Sequence, residues 1–98
     1  MELNSIPEKY LNDIKKATNL LKKEGCEAIF LFGSMVTGKI HQNSDIDIGI
    51  MGLPPKQFFR VYAYLDKELS VNVDLVDFDL CKDLYVLLDS LGEIVELG

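Results

Sequence analysis

Two aspartates and a glycine–serine pair are the residues of this chain whose types and spacing could do chemistry. Asp45 and Asp47 stand two apart, so on a strand their side chains leave the same face. Adjacent carboxylates repel each other unless a cation lies between them, and Mg²⁺ prefers such oxygen ligands together with substrate phosphates. Gly33 and Ser34 precede this pair by a ten-residue loop, and a turn after a glycine can aim N–H groups and a hydroxyl at phosphate. The pattern predicts a site for a metal ion and a phosphorylated substrate.

Asp74 supplies a third carboxylate if its strand lies beside the strand of the aspartate pair. Val73 and Leu75 would then point to the opposite face of the sheet. Three carboxylates can hold two metal ions, which position an attacking oxygen and a leaving pyrophosphate for in-line displacement. Asp45 and Asp47 alone could be solvent-facing residues of an amphipathic strand, whereas the whole set favours the metal site.

A P-loop motif overlaps this pattern. Residues 33–39 fit G-x-x-x-x-G-K and follow an apolar segment, as a P-loop follows a strand. The next position is Ile40, however, where the motif needs a serine or threonine hydroxyl for Mg²⁺. The chain is also short for the sheet of a P-loop NTPase, so this interpretation is disfavoured.

The first half of the chain predicts a helix followed by two strands. Ser5 and Glu8 form a capping box with Pro7 in the first turn, apolar residues then recur every three or four positions, and Gly25 ends the helix. Residues 26–32 form a short apolar run typical of a buried strand. Residues 45–51 alternate apolar and polar as a half-buried strand does, and the loop between the strands has room for one helical turn.

The second half predicts a helix, a strand and a last helix. The helix opens at Pro54 and Pro55, and the strand covers residues 71–77. The connection from the strand over residues 45–51 to this strand contains a helix and has the length of a parallel crossover. Asp79 is expected to cap the last helix and Gly92 to end it, with residues 93–97 as a short edge strand or a frayed tail. We expect one α/β domain over residues 1–98, with a small mixed β-sheet flanked by helices.

Composition narrows the function classes. The 98 residues carry 10 basic and 16 acidic side chains, and this net charge of −6 argues against a nucleic-acid groove, which needs a basic surface. It does not exclude a nucleotide bound with a metal. No apolar run reaches the length of a membrane span, and the first residues lack the pattern of an export signal, so a cytoplasmic protein is expected. Cys26 and Cys81 are expected to be reduced core residues rather than a disulfide.

The spaced motif Gly33-Ser34-x10-Asp45-x-Asp47, with Asp74 on a following strand, resembles the DNA polymerase β-type nucleotidyltransferases. The length and plain α/β layout resemble their smallest members, the minimal nucleotidyltransferase (MNT) proteins. The resemblance implies that Gly33 and Ser34 contact the phosphates of a nucleotide. It also implies that Asp45 and Asp47 bind Mg²⁺ and that Asp74 helps to bind metal and to activate the acceptor hydroxyl.

The chain departs from its relatives just after the glycine–serine pair. Relatives often carry arginine there, whereas this chain has Met35, Val36 and Thr37. Lys39 is expected to supply part of the missing positive charge to the nucleotide. Ser44 matches the common Ser-Asp-x-Asp form and is expected to help at the nucleotide site by ordering the loop.

The resemblance implies a Mg²⁺-dependent transfer of AMP from ATP to a hydroxyl. Stand-alone MNT proteins often act as antitoxins that bind a HEPN-domain ribonuclease toxin and adenylylate one of its tyrosines. With no second domain, the acceptor side is expected to come from a partner, from a second copy of the chain or from a molecule docked on the open sheet edge. Two alternatives stay open: an antitoxin that neutralises its partner by contact alone, and a transferase that modifies small molecules such as aminoglycosides.

Aromatic residues around the second long helix divide into two groups. Phe58, Tyr62 and Leu65 share an apolar stripe that favours the core over a base-stacking platform. Phe59 and Tyr64 fall off that stripe and form a candidate partner surface.

Overall fold

The computed structural model describes residues 6–98. The helices are α1 (Glu8–Lys23), α2 (Ser34–Thr37), α3 (Phe58–Glu68) and α4 (Lys82–Leu91). The strands are β1 (Ala28–Phe32), β2 (Ile46–Met51), β3 (Val73–Asp77) and β4 (Ile94–Glu96), and a 3₁₀ turn (Pro55–Gln57) leads into α3. None of the helices within residues 6–98 has the length and apolarity of a membrane span.

The four strands form one mixed sheet in the order β3-β2-β1-β4. β1 runs antiparallel to both β2 and β4, whereas β2 and β3 are parallel. A parallel pair needs a crossover, and α3 lies in that connection. The predicted α/β class, with a small mixed sheet flanked by helices, is confirmed. Residues 93–97 contain an edge strand rather than a frayed tail, because β4 pairs with β1.

The two faces of the sheet carry different packing. Ile46, Ile48 and Ile50 are fully buried in a core shared with residues of α1 and α3, as their alternation predicts. On the other face a smaller aromatic cluster forms, in which the ring of Phe30 lies 5.3 Å from that of Tyr85 in α4. The candidate site lies on this second face, because the side chains that alternate with the isoleucines point there.

The ends of α1 and α4 show where local signals hold and where they do not. Ser5 lies outside the described residues, so its half of the capping box is not described, and Pro7 occupies the cap position with no side-chain hydrogen bond. Gly25 follows the helix with φ of 97°, as predicted. The prediction that Asp79 caps the last helix is wrong. That position is Cys81, and Asp79 Oδ2 instead accepts a hydrogen bond of 2.8 Å from the N–H of Gly52.

The physical reason is the turn between β3 and α4. The carbonyl oxygen of Asp77 accepts hydrogen bonds from the N–H groups of Leu80 and Cys81, and this turn delays the helix until Lys82. Cys81 is therefore exposed, which contradicts the expectation of a core cysteine, whereas Cys26 is half-buried. Both thiols are free, as expected.

Asp13 holds the loop that leads into β3. This carboxylate is buried, and its Oδ2 accepts three hydrogen bonds: from the N–H of Ser70 at 2.9 Å, from the Ser70 hydroxyl at 2.9 Å and from the N–H of Val71 at 3.0 Å. Hydrogen bonds to a charged acceptor are stronger than neutral ones. Asp13 thus ties α1 to the segment that sets the start of β3.

We expect Asp13→Ala to lower the free energy of unfolding by about 2–3 kcal/mol, because two backbone N–H groups lose a charged acceptor. Urea unfolding followed by circular dichroism measures this change. Asn12→Ala, at the exposed neighbouring position, is the matched control and should change stability by less than about 0.5 kcal/mol. Equal effects of the two substitutions would show that the tie contributes nothing.

Candidate active site

The parallel register between β2 and β3 places Asp47 directly opposite Asp74. Neighbouring strands lie about 4.8 Å apart, and both side chains leave the face opposite to the buried isoleucines. Asp45 immediately precedes β2 and, two residues before Asp47, belongs to the same face. The three predicted carboxylates therefore lie on one face, at the end of the sheet where β2 and β3 begin.

Gly33 lets the backbone approach Asp47 closely. It follows Phe32, the β1 residue that pairs with Asp47, and has φ of 74° and ψ of −148°. A Cβ at this position would collide with Asp47 Oδ2 and lie 2.9 Å from its Cγ. Both the positive φ and the close approach require glycine, so the glycine of the motif places the next residue, Ser34, beside this carboxylate.

The short helix α2 begins at Ser34, as the loop prediction of one helical turn anticipates. Met35 and Val36 are buried and anchor the helix, while Ser34 is half-buried. The N–H groups of Val36 and Thr37 donate to the carbonyl oxygen of Gly33. The first N–H groups of a helix have no intrahelical acceptor, so those at the start of α2 can donate to a phosphate together with the Ser34 hydroxyl.

The carboxylates influence one another electrostatically. Burial, followed by the negative charges of Asp74 and of Asp45, raises the pKa of Asp47 to about 6. A cation between the three groups would remove this repulsion and favour the ionised form of Asp47. The donor set, three carboxylates on one face, fits a hard divalent cation such as Mg²⁺.

Asp74 makes a contact that the sequence did not predict. The hydroxyl of Tyr62 lies 3.2 Å from Asp74 Oδ1 and 3.1 Å from the carbonyl oxygen of Val73. Within residues 6–98, no three His, Cys, Asp or Glu side chains are gathered closely enough to hold a metal ion. The strands thus bring the carboxylates to one face, while Asp74 is bonded toward the outer edge of the sheet.

The apolar stripe of the helix predicts a core position for Tyr62, and its ring does pack there, edge-on to Phe58 at 5.9 Å. Its hydroxyl reaches the strand edge because of how α3 crosses β3, and no spacing in the sequence reports that crossing. The burial of Tyr62 raises its pKa, as does the nearby charge of Asp74.

Lys39 and Ser44, the other two predicted nucleotide contacts, have different environments. Lys39 is exposed in the loop after α2, and no hydrogen bond or ion pair in the described part of the chain joins it to the carboxylates. Ser44 is buried, and its Oγ accepts a hydrogen bond of 2.8 Å from the N–H of His41. Ser44 therefore orders the loop that delivers Asp45 to β2.

A polar cleft of about 210 Å³ opens beside Asp45. Its lining comes from the start of α1, the loop before β2 and the loop before β3: Lys9, Tyr10, Gln42, Asn43, Ser44, Asp45, Ser70, Val71 and Asn72. Lys9 brings a positive charge to this cleft, with its Nζ 4.9 Å from the centre of the Tyr10 ring. The three segments that line the cleft meet only in the folded chain, so no local motif could indicate it.

Comparison with known proteins gives a family match over most of the chain. The sequence model of the family "Polymerase beta, Nucleotidyltransferase" matches residues 15–92, which include the glycine–serine pair and all three aspartates. No curated protein sequence matches the chain.

Three of the solved structures that resemble this chain have sequence identities of 26–29% with it. A crystal structure of a toxin–antitoxin with AMP-PNP matches with 28% identity and a TM-score of 0.63, over 94% of this chain and 73% of that chain. The toxin–antitoxin MntA–HepT matches with 26% identity and a TM-score of 0.60, over 91% and 71%.

A third match is the tri-AMPylated Shewanella oneidensis HEPN toxin in complex with MNT antitoxin, with 29% identity and a TM-score of 0.51, over 72% of this chain and 56% of that chain. The family match, the shared fold and the face that joins a glycine–serine turn to three carboxylates agree with one another. The chain belongs to the polymerase β nucleotidyltransferase family.

Proposed function

We propose that the chain is a Mg²⁺-dependent nucleotidyltransferase that transfers AMP from ATP to a hydroxyl, and that the acceptor is a tyrosine of a HEPN-domain toxin. The observation that supports this most is the pairing of Asp47 with Asp74 across parallel strands, beside the glycine that admits the Asp47 carboxylate. The chain would act as the antitoxin of that partner.

Asp45, Asp47 and Asp74 are the residues that would hold Mg²⁺. The pKa of Asp47, which burial and then the charges of Asp74 and Asp45 raise, supports this assignment, because a cation bound there would favour the ionised carboxylate. Mg²⁺, when bound there, supplies charge neutralisation for the phosphates and orients the reacting oxygens.

The protein groups act mainly by positioning. The Ser34 hydroxyl and the first N–H groups of α2 hold the phosphates of ATP. The acceptor oxygen forms a bond with the α-phosphorus, the bond from that phosphorus to the bridging oxygen breaks, and pyrophosphate leaves. Asp74 accepts the proton of the acceptor hydroxyl, and because the Tyr62 hydroxyl bonds to Oδ1, we assign this role to Oδ2.

A protein acceptor suits the open architecture of the site. The three carboxylates lie on the surface of a small sheet, and Asp45 and Asp74 are exposed. Two neighbours support the partner class: one is a toxin–antitoxin with AMP-PNP, and another contains a tri-AMPylated HEPN toxin with its MNT antitoxin.

A second candidate function is neutralisation of the toxin by contact without transfer. The bond between Asp74 and Tyr62 favours it, since this bond occupies one oxygen of Asp74, and within the described residues no three acidic, histidine or cysteine side chains are close enough to hold a metal ion. The absence of arginine after Ser34 favours it as well.

We expect Asp47→Asn to lower the rate of AMP transfer to a HEPN-domain acceptor protein by roughly a hundredfold or more, because the transferred group loses charge stabilisation. Intact mass spectrometry of both proteins after incubation with Mg²⁺ and ATP measures the added AMP. Asp89→Asn, an exposed carboxylate on α4, is the matched control and should leave the rate unchanged.

Three outcomes separate the two candidates. Transfer that depends on Asp47 supports the nucleotidyltransferase. A stable complex with no AMP on either protein supports neutralisation by contact. Transfer at the wild-type rate by Asp47→Asn would contradict the assignment of the metal ligands.

The raised pKa of Asp47 also predicts how stability depends on pH without metal. An ordinary aspartate ionises near pH 4 in the unfolded chain, whereas Asp47 ionises near pH 6 in the folded one. The folded state therefore binds this proton more tightly, and the contribution of Asp47 to stability falls as pH rises from 4 to 6. In EDTA, Asp47→Asn should raise the unfolding temperature at pH 7.5 and have a smaller effect at pH 4.5.

Mg²⁺ with ATP should reverse that order at pH 7.5, because only the wild type keeps the full set of ligands. Differential scanning fluorimetry with and without EDTA measures both effects, and Asp89→Asn should follow the wild type throughout. A variant that is destabilised by the same amount at both pH values would contradict the raised pKa of Asp47 in the folded chain.

A further inference from the structure

An apolar groove of about 460 Å³ lies beside β3, outside the carboxylate cluster. One wall is formed by Pro55, Phe58 and Phe59 at the start of α3, and the other by Leu80 and Cys81 in the turn before α4. The floor is the second half of β3. We call this feature the β3 groove.

The side chains at its rim are unusually exposed for their type. Phe59 is 80% exposed and Leu80 is 74% exposed. Scattered apolar residues are normal on a protein surface, but contiguous ones around a concave surface mark an interaction site. Phe59 is also one of the two aromatic residues that the helical pattern leaves outside the core.

The β3 groove is continuous with the candidate active site. Val76, which lines the groove, lies two residues after Asp74, so the two side chains leave the same face of β3. Two residues of strand span roughly 7 Å. A polypeptide that places a hydroxyl at Asp74 and continues along β3 therefore passes over the groove.

The backbone edge of β3 is largely closed to an added strand. Asn72 and Phe78 bond toward β2, so the odd-numbered residues between them face outward. The carbonyl oxygen of Val73 accepts from the Tyr62 hydroxyl, and that of Asp77 accepts from two N–H groups of the following turn. Two of the three outward-facing carbonyl oxygens are therefore already bonded, which favours contact through the side chains of a partner over an added strand.

The charge around the groove indicates what kind of partner surface fits. The residues of β3, the following turn and the flanking helix ends carry more acidic than basic groups: Asp74, Asp77, Asp79 and Asp83 against Lys56, Arg60 and Lys82, and Arg60 is paired with Glu24. The whole chain carries a net charge of −6. Basic residues around an apolar anchor would complement this rim and speed encounter.

We propose that the β3 groove docks apolar side chains that the acceptor protein presents on a positively charged surface, and that this docking brings the acceptor hydroxyl to Asp74. The proposal rests on the proposed function, because it places the protein acceptor of AMP transfer. The groove thereby selects the acceptor, and the carboxylates carry out the transfer.

The first test is the kinetics of AMP transfer to the HEPN-domain acceptor protein of the proposed function. The double substitution Phe59→Asp with Leu80→Asp should raise KM for that protein by roughly tenfold or more, because two exposed apolar anchors are lost. The kcat at saturating partner and the KM for ATP should change by less than about twofold. Leu91→Asp is the matched control, since Leu91 is 56% exposed on α4 and does not line the groove.

The second test uses Cys81 as a built-in probe of the groove. Cys81 is exposed, and the described structure leaves its thiol free to react with N-ethylmaleimide. Cys26 is the internal reference, because burial, with the charges of Glu24 and Asp77, raises the pKa of its thiol to about 11 and slows its reaction. The partner should slow alkylation of Cys81 in the wild type and not in the Phe59→Asp, Leu80→Asp variant.

The outcomes separate this proposal from the proposed function. If the wild type transfers AMP but the double variant keeps its KM, or Leu91→Asp raises KM equally, the docking proposal is contradicted while the function stands. If no AMP is transferred but the partner protects Cys81 and the double variant abolishes protection, docking stands and the transferase is contradicted. Circular dichroism and unfolding temperature verify that each variant is folded.

Discussion

The parallel pairing of β2 with β3 is the constraint on which the rest of the molecule depends. The register that buries Ile48 and Leu75 against the helices also places Asp47 beside Asp74 on the opposite face. A slip of one residue would turn Asp74 toward the core and Leu75 toward the site, so register is strongly specified. The apolar core and the chemistry are thus set by the same hydrogen-bonded ladder, and the loop tied by Asp13 fixes where that ladder begins.

The same arrangement concentrates negative charge on one face of the sheet, and other interactions must offset the resulting repulsion. Asp47 is half-buried beside two other carboxylates, and its pKa is raised as a result. Because Gly33 has no side chain, this carboxylate can approach the backbone at the start of α2. Such local cost is common at functional sites, where residues are selected for what they bind rather than for the stability of the empty fold. The β3 groove carries a similar local cost in stability, because the apolar side chains of Phe59 and Leu80 are exposed to water.

Much of this architecture could be predicted because its signals are local. The alternation over residues 45–51 identified β2 and the face of the aspartates, and the length of the connection to β3 indicated a parallel crossover. The features that the sequence does not predict depend on how α3 crosses the sheet and on the turn before α4. Tyr62 reaches Asp74 because of the path of α3, and Cys81 replaces Asp79 at the cap of α4 because a turn delays the helix. Neither the contact between Tyr62 and Asp74 nor the position of this cap leaves a periodicity or a spacing in the sequence that could indicate it.

The most direct test of the central claim is a crystal structure of the chain with Mn²⁺ and an ATP analogue that has a methylene bridge between its α- and β-phosphates, which prevents release of pyrophosphate. Anomalous scattering locates Mn²⁺ without ambiguity. We expect Mn²⁺ bound by Asp45 and Asp47, with Asp74 at the same centre and the phosphates against Ser34. Mn²⁺ and nucleotide bound away from this face, with the three carboxylates unliganded, would contradict it.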